Sequence, residues 1–147
     1  MPHTTRPIPS RITAVRRPAA MLLALALGLG GFHASAQSQV PPMRGEGAAR
    51  HVCGGIGSDE STAMRAAMKS HPLSLLFARA DGSYLADVGV TIRDAKGATA
   101  LRLRANGPIC LVDLPAGRYD VEAMADGRTQ QREVELGRTP ATADFRF

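Results

Sequence analysis

The residues beyond position 36 with the most chemical potential are His51-x-Cys53, His71, Cys110 and the methionines, a set of soft and borderline ligands that could hold copper or zinc. Their spacing matches no strong metal motif, and a bond between Cys53 and Cys110 would consume both thiolates, so neither a metal nor a cofactor is expected. Gly54-Gly-Ile-Gly57 lacks the strand before it and the Gly-Lys-Ser/Thr after it that a phosphate loop needs, and reads as a connector into a helix. Ser58, Ser61 and Ser70 have no nucleophile-elbow context, and no catalytic residue is expected. Sugar recognition would need exposed aromatic rings. The chain has no Trp, Tyr119 should be buried, and Tyr84 is the one platform left, although a Tyr in that position commonly just caps a loop.

Placing these residues starts with removing the part of the chain that does not fold with them. Arg6, Arg11, Arg16 and Arg17 precede the apolar run from Met21 to Phe32, and Ala34-Ser-Ala36 supplies small residues at a cleavage site. That order is a secretory signal peptide over 1–36, with Gln37 as the expected mature N-terminus. Four of the 18 Lys and Arg residues lie in that segment, leaving 14 against 13 acidic residues, so the net charge falls from +5 to +1. A nucleic-acid role loses its support, and no later apolar run reaches membrane length. The expected locale is periplasmic or secreted. An even cysteine count there favours a Cys53–Cys110 disulfide, worth about 4 kcal/mol by loop-closure entropy.

Residues 37–72 read as an extended arm and a short helix. The arm is rich in Pro, Gly and polar groups. Ser58 offers an N-cap, Asp59 and Glu60 suit the first turn, and Met64, Ala67, Met68 and His71 share one helical face, predicting a helix over 59–70 that Pro72 ends. From 73 to 147 the pattern is strand and turn, giving about seven short strands. Val88, Val90 and Ile92 alternate, as do Leu101 and Leu103 against Arg102 and Arg104. Tyr119, Val121 and Ala123 alternate with Arg118, Asp120 and Glu122, before Asp126-Gly127 turns the chain. Gly117, at the Leu-Pro-Ala-Gly corner, is expected at positive φ, where a β-carbon would clash.

Leu75-x-Phe77, Ala-Asp-Gly82, Leu85-Ala-Asp-Val-Gly-Val-Thr-Ile92, Gly97, Asn-Gly107, Leu-Pro-Ala-Gly-Arg-Tyr119-Asp-Val121 and Asp-Gly127 together resemble a carboxypeptidase regulatory-like domain. The resemblance covers about 73–147. It implies an all-β, seven-stranded, antiparallel sandwich of the immunoglobulin/transthyretin-like type, here with a short N-terminal helix. The mature chain is also similar to small exported proteobacterial proteins that carry this domain. Transthyretin-related hydroxyisourate hydrolases share the broad fold but end in Tyr-Arg-Gly-Ser, whereas this chain ends Ala-Asp-Phe-Arg-Phe, which argues against that enzyme.

One expectation comes from the strand pattern alone. If Ile109, Leu111 and Leu114 face the core, alternation sends Cys110 and Val112 outward, where 44–70 would cover them as a lid stapled by the disulfide. The function expected is an exported, non-catalytic binding or interaction module, with a protein or glycan partner in the cell envelope. The alternatives are a carbohydrate-binding module of the same fold or, with less support, a small transthyretin-related hydrolase. No ligand-binding residue is assigned by spacing.

Overall fold

The computed structural model describes residues 40–147, so the signal peptide expected over 1–36 and the expected Gln37 terminus lie outside the described residues. Among the described residues, nine strands form two sheets. In chain order they are β1 (Arg44–Glu46), β2 (Ala49–Gly54), β3 (Leu73–Ala78), β4 (Val88–Asp94), β5 (Thr99–Ala105), β6 (Ile109–Asp113), β7 (Gly117–Ala125), β8 (Arg128–Leu136) and β9 (Ala141–Arg146). The α-helix among the described residues, α1 (Ser58–Ala67), runs on as a 3-10 turn at Met68–Ser70. The five-stranded sheet has the order β1-β2-β6-β3-β9, and the four-stranded sheet β5-β4-β7-β8.

Seven of these strands follow Pro72, as the turn spacing predicts. The other two come from the arm, so the count is nine rather than seven. Every named pair is antiparallel except β3 and β9, which run parallel. β8 ends in one sheet and β9 begins in the other, and the crossing through Gly137–Pro140 sets β9 beside β3 in the same direction.

Alternation fixes most side chains. On β7, Tyr119, Val121, Ala123 and Ala125 are buried in the interlayer core, whereas Arg118, Asp120 and Met124 are exposed. On β3 and β9, Phe77 and Phe145 occupy paired register positions and stack with ring centroids 5.7 Å apart, both essentially without solvent contact. The β7–β8 turn has both central residues, Asp126 and Gly127, at positive φ of 49° and 72°, as a two-residue hairpin with this twist requires. Gly117 has φ 158°, positive as expected but close to extended. A β-carbon there would make only ordinary contact with the Tyr119 ring, not a clash.

The expected phase of β6 is overturned. Cys110, Val112 and Leu114 join the interlayer core, while Ile109 and Leu111 face the opposite side with Val52 and Met64. α1 covers that side, so Ile109, Cys110, Leu111 and Val112 are all buried. With both faces of a strand covered, its alternation carries no phase. The disulfide forms as expected, but with a different role. Cys53 and Cys110 are directly opposed on neighbouring antiparallel strands, with Cα atoms 4.1 Å apart. The bond therefore locks the β1–β2 hairpin into the sheet, and the helix alone acts as the lid.

The connection from β2 into α1 is tighter than a flexible connector. A β-carbon on Gly107 would collide with the Gly54 carbonyl oxygen, and one on Gly54 would press into the Glu60 carboxylate. The helix begins at Ser58 itself, with Gly57 as the cap residue and no side-chain cap. Glu60 reaches back instead, accepting the Ile56 N–H at 3.2 Å. Met64 is completely buried and Ser61 nearly so, while Ala67 and Met68 pack half-buried against the same cluster. The predicted apolar face is thus the docking face.

Candidate functional site

α1 lies over β2 and β6 and leaves the neighbouring strip of the five-stranded sheet open. A groove of about 290 Å³ occupies that strip, lined by Arg65, Leu76, Tyr84, Pro108, Asp144 and Arg146 among others. Each lining residue has a local cause. On β9 and at the residue just after it, burial of Ala143, Phe145 and Phe147 turns Asp144 and Arg146 outward by period 2. On β3, burial of Leu75 and Phe77 in the core leaves Leu76 half-exposed on the groove side.

Tyr84 is held by a tight loop. Ser83 donates its N–H and its hydroxyl to Asp81 Oδ1 at 2.9 and 2.7 Å, and Arg79 N–H bonds to the Ser83 carbonyl at 2.8 Å. The chain then returns along β3, with Ala78 and Tyr84 forming an isolated antiparallel bridge. Leu85 is buried, so its neighbour Tyr84 faces out with 60% of its surface exposed. The phenol oxygen meets α1, where Arg65 donates to it at 3.2 Å. The Arg65 guanidinium carbon also stands 6.0 Å from the ring centroid, a cation–π contact. That hydrogen bond, a second from Ser61 and the Arg65 charge hold the Tyr84 phenol below its ordinary range. Opposite, Arg146 Nε donates to Asp144 Oδ1 at 2.8 Å, fixing a planar ion pair along the groove wall.

The groove therefore presents one broad aromatic face, an aliphatic floor and planar hydrogen-bonding groups of both signs. That combination suits an uncharged, hydroxyl-rich ligand. Its polar groups can satisfy alternating donors and acceptors, and its C–H faces can lie on a ring. Among the described residues it holds no nucleophile with a base beside it.

No protein-family model matches the chain, and no curated protein matches it either. The resemblance to the carboxypeptidase regulatory-like domain thus rests on the motif residues, and the function on the geometry.

The other residues singled out by chemistry are scattered. Cys53 and Cys110 are bonded to each other. His51 shares the side of β2 that carries Cys53, whereas His71 sits on the opposite side of the sheet and contacts Asp113 Oδ1 through Nδ1 at 2.7 Å. Arg50 holds the second Asp113 oxygen at 3.3 Å. Among the described residues no three His, Cys, Asp or Glu side chains converge as a metal cluster. Ser58 and Ser61 lie on α1, and Ser70 ends the 3-10 turn; none hydrogen-bonds to either histidine. The sequence singled out Tyr84 but not its partners. Arg65, Asp144 and Arg146 are 19 to 62 positions away from it, and only the sheet order brings them to one groove. Among the described residues no helix is long and apolar enough to cross a membrane.

Proposed function

We propose that this chain is an exported, non-catalytic binding module of the carboxypeptidase regulatory-like type, working in the cell envelope, and that its ligand is a carbohydrate taken up in the Tyr84 groove. The observation that carries the reading is that Tyr84, 60% exposed, lines one groove together with Leu76 and the Asp144–Arg146 ion pair. A Tyr serving only as a clip would need its hydroxyl on Arg65 but not the open groove beneath it. The disulfide supports the exported locale, because such bonds persist in oxidising compartments. A transthyretin-related hydrolase has less support: the one close Asp–His pair, Asp113–His71, is tied to Arg50 and has no serine or cysteine bonded to it among the described residues.

The test is glycan-array binding and polysaccharide co-sedimentation with the mature chain, Tyr84→Ala, Tyr84→Phe and Asp144→Asn. Stacking on the ring predicts that Tyr84→Phe binds nearly as well as wild type. Tyr84→Ala and Asp144→Asn should each lose about tenfold or more, the equivalent of one stacking contact or charged hydrogen bond. Binding to no glycan, or equal binding by Tyr84→Ala, would overturn the reading.

A further inference from the structure

A second concavity lies on the far side of the helix start, where the β1–β2 hairpin meets the end of β5. It has a volume of about 320 Å³, and its lining includes Arg44, His51, Cys53, Glu60, Arg104 and Asn106. It shares no lining residue with the Tyr84 groove. We propose that this cavity is a binding site for a small monocarboxylate, with Arg44 and His51 as the carboxylate-binding pair.

The pair follows from register. Arg44 and His51 are directly opposed across the antiparallel β1–β2 ladder, so their side chains project on the same face as neighbours. Arg44 makes no ion pair or side-chain hydrogen bond with any described residue, so its planar fork of donors is free for a carboxylate. His51 lines the cavity beside Arg44, and its Nδ1 is buried without a hydrogen-bond partner among the described residues, so the ring is not committed to another group there. Burial, and then the Arg44 charge, hold the imidazole below its ordinary pKa, so the ring is the neutral member of the pair and Arg44 the only charge the pair offers. Hydrogen bonding from a neutral ring and a guanidinium is the recognition a carboxylate uses.

Charge decides for a monoanion over a phosphate-type dianion. The second guanidinium in the wall, Arg104, is already clamped by both oxygens of Asp87. The Glu60 carboxylate lies in the same wall and repels a second negative charge. Among the described residues, Arg44 is the one lining cation not already held by a carboxylate, which suits a ligand with a single negative charge. Asn106 and the remaining lone pairs of Glu60 can take the hydroxyl or amino group that small organic acids carry beside the carboxylate.

The experiment is a titration of the oxidised mature chain, followed through the His51 ring and Arg44 side-chain NMR signals, with acetate, lactate and inorganic phosphate at matched ionic strength. Arg44→Gln serves as the variant; Arg44 is an exposed residue on a three-residue edge strand, and an unchanged amide spectrum checks that its fold is intact. The expected result is saturable, mutually localised shifts with acetate and lactate, lactate being the tighter. Phosphate should bind at least about tenfold more weakly, and Arg44→Gln should lose about tenfold or more of the lactate affinity. Non-saturating shifts, phosphate binding as tightly as lactate, or full affinity in Arg44→Gln would each overturn the assignment. None of those results bears on Tyr84.

Discussion

Met64→Ala is the sharpest probe of whether α1 belongs to the folded core or merely rests on it. Met64 is completely buried and packs with Val52, Ile109 and Leu111, all at most 4% exposed. Truncation removes three heavy atoms, worth about 2 kcal/mol of transfer free energy at about 0.8 kcal/mol per methylene. An unrelaxed hole of about 70 Å³ adds about 1.5 kcal/mol at about 24 cal/mol per Å³. The expected loss is therefore about 3–4 kcal/mol, a large share of the roughly 5–15 kcal/mol that holds a domain of this size together. Lys69→Ala, exposed at the end of the same element, should stay within about 0.5 kcal/mol of wild type. Urea denaturation followed by circular dichroism gives both numbers. A loss under about 1 kcal/mol for Met64→Ala would refute the argument, because it would mean that Ile109 and Leu111 find other cover when the helix anchor is cut. The groove depends on the same anchor, since Arg65, the next residue, holds the Tyr84 hydroxyl.

Tyr119→Ala should lose about 3–5 kcal/mol, whereas Tyr119→Phe, which removes only the hydroxyl that donates to the Pro115 carbonyl at 3.0 Å, should lose about 1 kcal/mol. Arg118→Ala should shift the urea midpoint by no more than about 0.5 kcal/mol, and similar midpoints for Tyr119→Ala and Arg118→Ala would mean the β7 phase is wrong. Replacing both Cys53 and Cys110 by Ala should destabilise by about 2–4 kcal/mol, and amide exchange should accelerate in β1 and β2 more than in β7 and β8; uniform acceleration would contradict a bond that fastens only the hairpin. His51 is depressed below its ordinary 6.5 by burial and by Arg44, so the unfolded chain takes up a proton there more readily than the folded one. Its contribution is complete above about pH 6.5 and erodes as pH falls from there through the depressed folded-state value, so wild type should lose stability relative to His51→Gln between pH 7.5 and 5.5, and parallel pH profiles would exclude it.

Where one face of a strand is wet, the sequence reveals its phase, and β7 and β9 are legible for that reason. Turn chemistry is legible too: Asp126-Gly127 closes a two-residue hairpin, and Asp94 Oδ1 accepts the Lys96 and Ala98 amides to shape the β4–β5 turn. β1 and β2 were hidden by their own composition, because Arg-Gly-Glu and Ala-Arg-His-Val-Cys-Gly offer one β-branched residue and three small ones. Those strands exist because β6 supplies a ladder and the disulfide closes it, a long-range cause that no local window contains.

β6 shows the general reason most clearly. Ile-Cys-Leu-Val is apolar at every position, so grouping Ile109 with Leu111 is sound, but choosing which pair faces the core is arbitrary from those four residues. The deciding signal was Leu114. It shares parity with Cys110 and Val112, not with Ile109 and Leu111, and it must lie beneath the same corner as Tyr119. Following that parity through the corner places Cys110 inside, puts Cys53 opposite it on a neighbouring strand, and leaves Ile109 and Leu111 needing the apolar face of α1. The same step locates the groove. A helix drawn over β2 and β6 to cover Leu111 cannot also cover β3 and β9, and the strip it leaves bare is the one that Tyr84, Asp144 and Arg146 line.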